Sequence, residues 1–321
     1  MRWPWKRQQP TDLLVVSWSE RNLAYVRAEV RADGLHAVRQ FGVERQGTDS
    51  DEEFARRLQG LGLKGARVHV MLRPEQYQFL LIDAPAVAPE EVRAAARWQI
   101  RDMVDMHTDD ITLDVMRVGA ESAGAGGHLF VAVVGNAVLA DVLRLGQALQ
   151  WDVPVVDILE TAQRNLQTLL AREQGRVERA NAALMMVNAR QAMLTISARE
   201  ELYYTRRIDL GPGFLGQGGA LSSTDDGAEG DDAAQRFVVE VQRSLDVWDR
   251  TWSDLPLDSL SVEAGARTAE VAAWLSRELG YAVKPMDLAP YFLGFEGGLP
   301  EHQALCLPLL GILLRVEERN L

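Results

Sequence analysis

Apolar positions along the chain fall into short alternating blocks, and one arrangement of blocks occurs twice. Leu13-Leu14-Val15-Val16 leads into a polar turn from Ser17 to Asn22 and then into Leu23-Ala24-Tyr25-Val26. A third strand follows beyond Arg31-Ala32-Asp33-Gly34, whose Asp-Gly pair suits the positive φ angles of a tight hairpin. The second copy is Leu184-Met185-Met186-Val187, a turn at Asn188 to Gln191, Met193-Leu194-Thr195-Ile196, and a third strand from Leu202 to Leu210. A helix follows each meander. The first opens on Ser50-Asp51-Glu52-Glu53, a capping box with Phe54 and Leu58 facing inward. The second, over 233–250, sets Val238, Val241, Leu245 and Trp248 on one face.

Between the copies the pattern changes. Strand 77–83, helix 89–104, strands 111–118 and 128–134, helix 136–151 and strand 153–157 spell βαββαβ, a compact unit in its own right. This predicts an inserted four-stranded subdomain over 75–157, with its last strand able to join either body. In helix 89–104, Val92, Ala96, Ile100 and Met103 form an apolar stripe, with Trp98 on roughly the opposite side between Arg97 and Arg101. Two readings stand for Trp98: a contact for a partner, or packing against the neighbouring subdomain.

Two meanders in one chain predict two similar α/β domains facing each other across a cleft, the duplicated ribonuclease H-like architecture of the actin-like ATPases. The expected layout is a basic aromatic tail (1–10), a first domain (11–74 plus 158–180), the insert (75–157) and a second domain (181–321). Residues 211–232 hold seven glycines and five acids with few apolar side chains, which reads as a flexible loop.

Composition narrows the function. The net charge of −12 argues against a nucleic-acid partner. One cysteine, Cys306, excludes an internal disulfide framework and reads as a buried thiol. No apolar run reaches the ~20 residues of a membrane span and no secretory leader is recognisable, so a cytoplasmic chain is expected. The first ten residues carry three positive charges, two tryptophans and no acid. Trp3, Trp5, Lys6 and Arg7 suit an anionic bilayer surface, the other reading being a frayed end. Five histidines are scattered without metal-ligand spacing, and no P-loop, G-x-S-x-G or G-x-G-x-x-G is present. Gly211-Pro212-Gly213 reads either as a phosphate cradle or as a simple turn.

Three stretches carry a family resemblance. LRPEQYQFLLIDAPAVAPEEVRAAARWQIRDMV (72–104) resembles the hallmark segment of the PilM-like proteins of type IV pilus assembly, with the MshI group of MSHA-type pilus machinery the best match. FVVEVQRSLDVWDR (237–250) and ELYYTRRIDLG (201–211) resemble two further family segments. The resemblance implies an actin-like fold and a cytoplasmic scaffold at the inner-membrane platform, bound to the cytoplasmic tail of a bitopic PilN-like protein. It also implies a tail groove between first domain and insert, lined by helix 89–104 with Trp98 and Arg101 at its rim.

The departures matter as much. Nucleotide-binding relatives carry Asp-x-Gly in both phosphate turns, where the aspartates hold the magnesium shell. The matching places here hold Ser17 with Ser19, and Asn188-Ala189, while the adenosine motif is reduced to Glu263-Ala264-Gly265-Ala266. Ser17, Ser19, Asn188 and Gly265 are therefore expected to form a degenerate nucleotide site, with no metal or cofactor and no ATPase activity. The alternative is an ATP-binding switch or ATPase of the same fold, using serines as unusual ligands. A type II secretion platform protein would share the fold but continue into a membrane span.

Overall fold

The computed structural model describes residues 12–31, 35–119, 127–211, 214, 228–297 and 299–315. The basic tail, Asp33-Gly34, most of the 119–127 hairpin loop and most of 211–232 lie outside these residues. The first half runs β1 (Asp12–Ser19), β2 (Asn22–Val30), β3 (His36–Arg45), α1 (Asp51–Gly60) and β4 (Arg67–Leu72). It continues through β5 (Tyr77–Asp83), α2 (Val92–Gln99), β6 (Ile111–Arg117), β7 (His128–Gly135), α3 (Asn136–Ala148), β8 (Asp152–Ile158) and α4 (Leu159–Glu173). The second half holds β9 (Ala180–Met186), β10 (Gln191–Ala198), β11 (Glu201–Asp209), α5 (Ala228–Thr251), β12 (Leu257–Glu263) and α6 (Thr268–Leu279). It ends with β13 (Val283–Pro285), β14 (Phe292–Leu293) and α7 (Pro300–Leu313).

The duplication is visible in the sheets. One sheet is ordered β3-β2-β1-β4-β8 with β14 added beside β3, and the other β11-β10-β9-β12-β13. Each is an antiparallel meander whose first strand pairs in parallel with the strand after the helix. Ser50 caps α1 with both arms of the capping box in place, as its sequence predicts.

Between the sheets lie α4 and α7. Val15, Ala24 and Val26 of the first sheet share one buried cluster with Leu159, Ala162 and Leu166 of α4, Leu309 and Leu310 of α7, and Ala183, Met185 and Met193 of the second sheet. The two helices cross closely at Gly311, where a Cβ would stand 2.1 Å from the Ala162 carbonyl oxygen. The Asn165 side-chain amide donates to the Gly311 carbonyl at 2.9 Å, which ties the crossing. Cys306 is buried in α7, and desolvation pushes its thiol up to about 12.

Several boundaries differ from the sequence reading. The insert sheet has three strands, β5-β7-β6, because β8 pairs in parallel with β4 in the first sheet. α3 leaves the insert as well: Val142 and Leu149 share a core with Phe54 and Leu58 of α1. The duplication explains this, since α3 and β8 stand between and beside strands of the first sheet as α6 and β13 do in the second. At the other end, β14 pairs with β3 and α7 packs under the first sheet, so the closing segment of the chain belongs to the first domain. Helix 89–104 is shorter than its stripe predicts, a turn at Pro89–Glu91 followed by α2. Ile100 and Val104 are still buried in the insert core after the helix ends, whereas Met103 is exposed.

Candidate functional site

The first turn is tighter than expected. β1 continues to Ser19, and Glu20 and Arg21 make a two-residue turn with φ of 50° and 60°. Ser17 and Ser19 are therefore strand residues on the face of β1 that carries Val15, turned toward α7 and α4. Ser17 is fully buried, and its hydroxyl has no hydrogen-bond partner among the described residues. The Ser19 hydroxyl donates to Glu75 Oε1 at 2.7 Å, and the Gln76 side chain donates to the Trp18 carbonyl at 2.8 Å. Trp18 lies on the other face, its ring 5.4 Å from that of Phe54. This turn is thus fastened to the root of the insert.

The second turn is closed on itself. Asn188 Oδ1 accepts from the backbone N–H of Arg190 at 2.8 Å and of Gln191 at 3.0 Å, and the Val187 N–H donates to the Gln191 carbonyl at 2.9 Å. A turn that cradles phosphate must leave such amides pointing outward. Gly265 has φ +59°, and its N–H donates to Glu263 Oε1 at 2.8 Å. Burial holds the Glu263 carboxyl above its ordinary range. These donors do not fit a magnesium triphosphate: hydroxyls and an amide replace the two carboxylates, Ser17 has no open surface, and the second turn spends its amides internally.

The structure adds residues that the sequence reading did not single out. Glu160, on the first turn of α4, is buried and faces Arg207 of β11, whose Nη2 lies 3.2 Å from Oε1. The Tyr77 hydroxyl donates to Glu160 Oε2, and the Leu159 N–H donates to the Tyr77 oxygen at 3.3 Å. Arg207 also donates to the Pro74 carbonyl at 2.7 Å and sits 4.8 Å over the Tyr77 ring. Burial raises the Glu160 carboxyl, against the pull of Arg207, and burial also pushes the Tyr77 hydroxyl well above its usual range. Arg73 directly follows β4, and burial lowers its guanidinium while Glu75 opposes. Tyr77 and Arg207 lie inside the family-like stretches, but spacing alone does not pair residues so far apart.

Trp98 and Arg101 are brought together, with the guanidinium 5.6 Å from the ring centroid. Trp98 is 74% exposed, so it does not pack against a neighbouring subdomain. Their place differs from the expected groove. Leu80, Ile82, Leu129 and Val131 turn to α2, while Tyr77, Phe79 and Val134 on the opposite face of the insert sheet join the first-domain core. α2 therefore covers the outer face and does not line the space between first domain and insert. On the inner face Leu81 is 51% exposed, on the end strand β5. Trp3, Trp5, Lys6 and Arg7 lie outside the described residues. Among the described residues no group of side chains could hold a metal ion, and no helix is long and apolar enough to cross a membrane.

No protein-family model matches this chain, and no curated protein does. Solved structures do. The chain is similar to a structure of the PilM-PilN type IV pilus biogenesis complex, at 18% identity and TM-score 0.66, over 94% of this chain and 98% of that one. It is also similar to a Bacteroides thetaiotaomicron protein with an actin-like ATPase fold, at 8% identity and TM-score 0.49, over 92% and 95% of the two chains. A further likeness is to the cytoplasmic domain of EpsL, an inner-membrane component of the Vibrio cholerae type II secretion system, at 14% identity and TM-score 0.47, over 93% and 94%. The likeness to a chain of the PilM-PilN complex, over nearly all of both chains, and the two sheets of matching strand order together give this chain the actin-like fold.

Proposed function

We propose that the protein is a cytoplasmic, membrane-peripheral scaffold of a type IV pilus machine, of the MshI kind, that binds the tail of a PilN-like bitopic inner-membrane protein and does not hydrolyse ATP. The observation that carries this reading is the likeness to a chain of a PilM-PilN complex over nearly all of both chains. The family-like stretch 72–104 supports it from the sequence side, because it supplies both the root of the insert and α2. The absence of catalysis is argued from the donors: Ser17, Ser19 and Asn188 bring no negative charge to a metal, and phosphoryl transfer depends on metal and cation stabilisation. Gly265 remains as a reduced remnant of the adenosine side.

We propose the insert as the partner contact. Trp98 with Arg101 offers an exposed aromatic-arginine pair, the combination from which binding hot spots are most often built. The test is calorimetric titration of the full chain with a PilN-like tail peptide, run beside Mg-ATP. Trp98→Ala is expected to weaken the peptide by about thirtyfold, ~2 kcal/mol, without changing thermal unfolding. Leu81→Glu marks the inner face. If that variant loses binding while Trp98→Ala retains it, the tail lies between insert and first domain and Trp98 is not in its site. Saturable Mg-ATP binding with phosphate release would overturn the scaffold reading.

A further inference from the structure

We propose that the open edge of β11 and the arginine-bearing face of α5 form a docking groove for an extended, acidic segment of a partner protein. This goes beyond the pilus reading and does not depend on it. Among the described residues β11 is an end strand, paired with β10 on one side only. A groove of about 770 Å³ runs along the last part of this strand, between Arg206, Arg207 and Asp209 on β11 and Arg236, Glu240 and Arg243 on α5. An end strand presents a row of unpaired backbone donors and acceptors, the template to which an extended chain adds. The space beside it has the size of a small-ligand cleft and is floored by an exposed apolar side chain, Val239.

Charge decides what would enter. The whole chain carries −12, yet this groove holds Arg206, Arg236 and Arg243 against the acids Asp209, Asp232 and Glu240, while its fourth arginine, Arg207, is committed to Glu160. Two of the acids are already engaged: Glu240 pairs with Arg206 and, at 2.9 Å, with Arg243, and Asp209 accepts from the Gln191 side chain at 3.3 Å. Arg236 is exposed and has no ion pair among the described residues. Arg236 and Arg243 are two helical turns apart on one face of α5, about 10.5 Å along the axis. Alternate residues of an added strand lie about 6.7 Å apart on one face, so carboxylates at alternating positions come within reach of both flexible guanidiniums. Arg236 without an ion pair among the described residues, and Arg206 and Arg243 sharing the single carboxylate of Glu240, leave guanidinium capacity that an acidic segment would satisfy.

The experiment is fluorescence anisotropy of the full chain with a labelled ten-residue peptide alternating valine and glutamate. Saturable binding is expected, weakened at least about tenfold by Arg236→Glu combined with Arg243→Glu. Binding should also be lost when the peptide is N-methylated at alternate residues, and absent for a valine-lysine peptide. Both substituted side chains are exposed, and circular dichroism checks that the variant folds. Equal binding by the double variant or by the lysine peptide overturns the charge argument, and equal binding of the N-methylated peptide overturns strand addition. Binding that appears only after Asp225→Asn, Asp226→Asn and Glu229→Gln would assign the groove to the chain's own acidic stretch and overturn the partner.

Discussion

Arg207 is the side chain on which three parts of the chain converge. It reaches from the second domain to the α4 carboxylate Glu160 and to the Pro74 carbonyl at the root of the insert. Removing a partner from a buried charge leaves the other charge uncompensated, which costs about 3–5 kcal/mol. Arg207→Met is expected to lose stability of that order, and the loss should depend on pH. Glu160 already titrates above the ordinary carboxylate range, so its contribution is present below the unfolded value and is lost as pH rises through the folded one. Without the arginine the folded value climbs further. Urea unfolding should therefore show a larger deficit for the variant at pH 7 than at pH 5, with recovery on adding Glu160→Gln. A deficit equal at both pH values would mean that Glu160 does not respond to Arg207. The two turns themselves were legible in the sequence, because polar residues interrupt the apolar blocks between β1 and β2 and between β9 and β10. Glu160 and Arg207 were not, since their meeting depends on how α4 lies against β11. Nor was the buried state of Ser17, which follows from β1 running three residues further than its apolar block.

Element by element, the strands were read well wherever β-branched and apolar runs were bounded by polar turns, as in β5, β6 and β7. Sheet membership was harder. β8 alternates exposed and half-buried positions like any partly covered strand, so nothing within it says whether β7 or β4 is its neighbour. The duplicated element order does say so, because α3 and β8 hold in the first half the places of α6 and β13 in the second. α7 presented the opposite problem. Apolar nearly all round, it signals burial without naming what covers it, and the structure places it between the sheets. Gly311 allows that position. A Cβ there would meet the Ala162 carbonyl oxygen at 2.1 Å and the Ala162 carbonyl carbon at 2.6 Å, and neither is the free end of a side chain. Gly311→Ala is expected to cost at least about 1–3 kcal/mol as α4 and α7 are forced apart. Gly60→Ala is the control, with nothing within 4 Å at the end of α1 and an expected gain of about 0.5–1 kcal/mol. Thermal melting that moves both variants in the same direction would show that the crossing is not as tight as the backbone distances require.

At the scale of the whole molecule, the proposed function requires that something hold a body of charge −12 near an anionic membrane from which a partner tail would emerge. Its bulk is repelled. The first ten residues are the exception, with Arg2, Lys6 and Arg7 beside Trp3 and Trp5. Each basic residue near an anionic surface contributes about 1 kcal/mol, and tryptophan favours the headgroup level, so the segment suits a weak, salt-sensitive contact. Such a contact would raise the effective concentration of a tail-binding surface at the membrane without adding any contact to the tail itself. The full chain is expected to sediment with vesicles containing phosphatidylserine and to be released by high salt, because screening shortens the reach of these charges to a few ångströms. A chain starting at Thr11 should stay in the supernatant and bind a free tail peptide with unchanged affinity. Equal sedimentation of the two chains would move the membrane contact onto the folded body. A truncated chain that loses peptide affinity as well would place the first ten residues in the partner site instead of at the lipid surface.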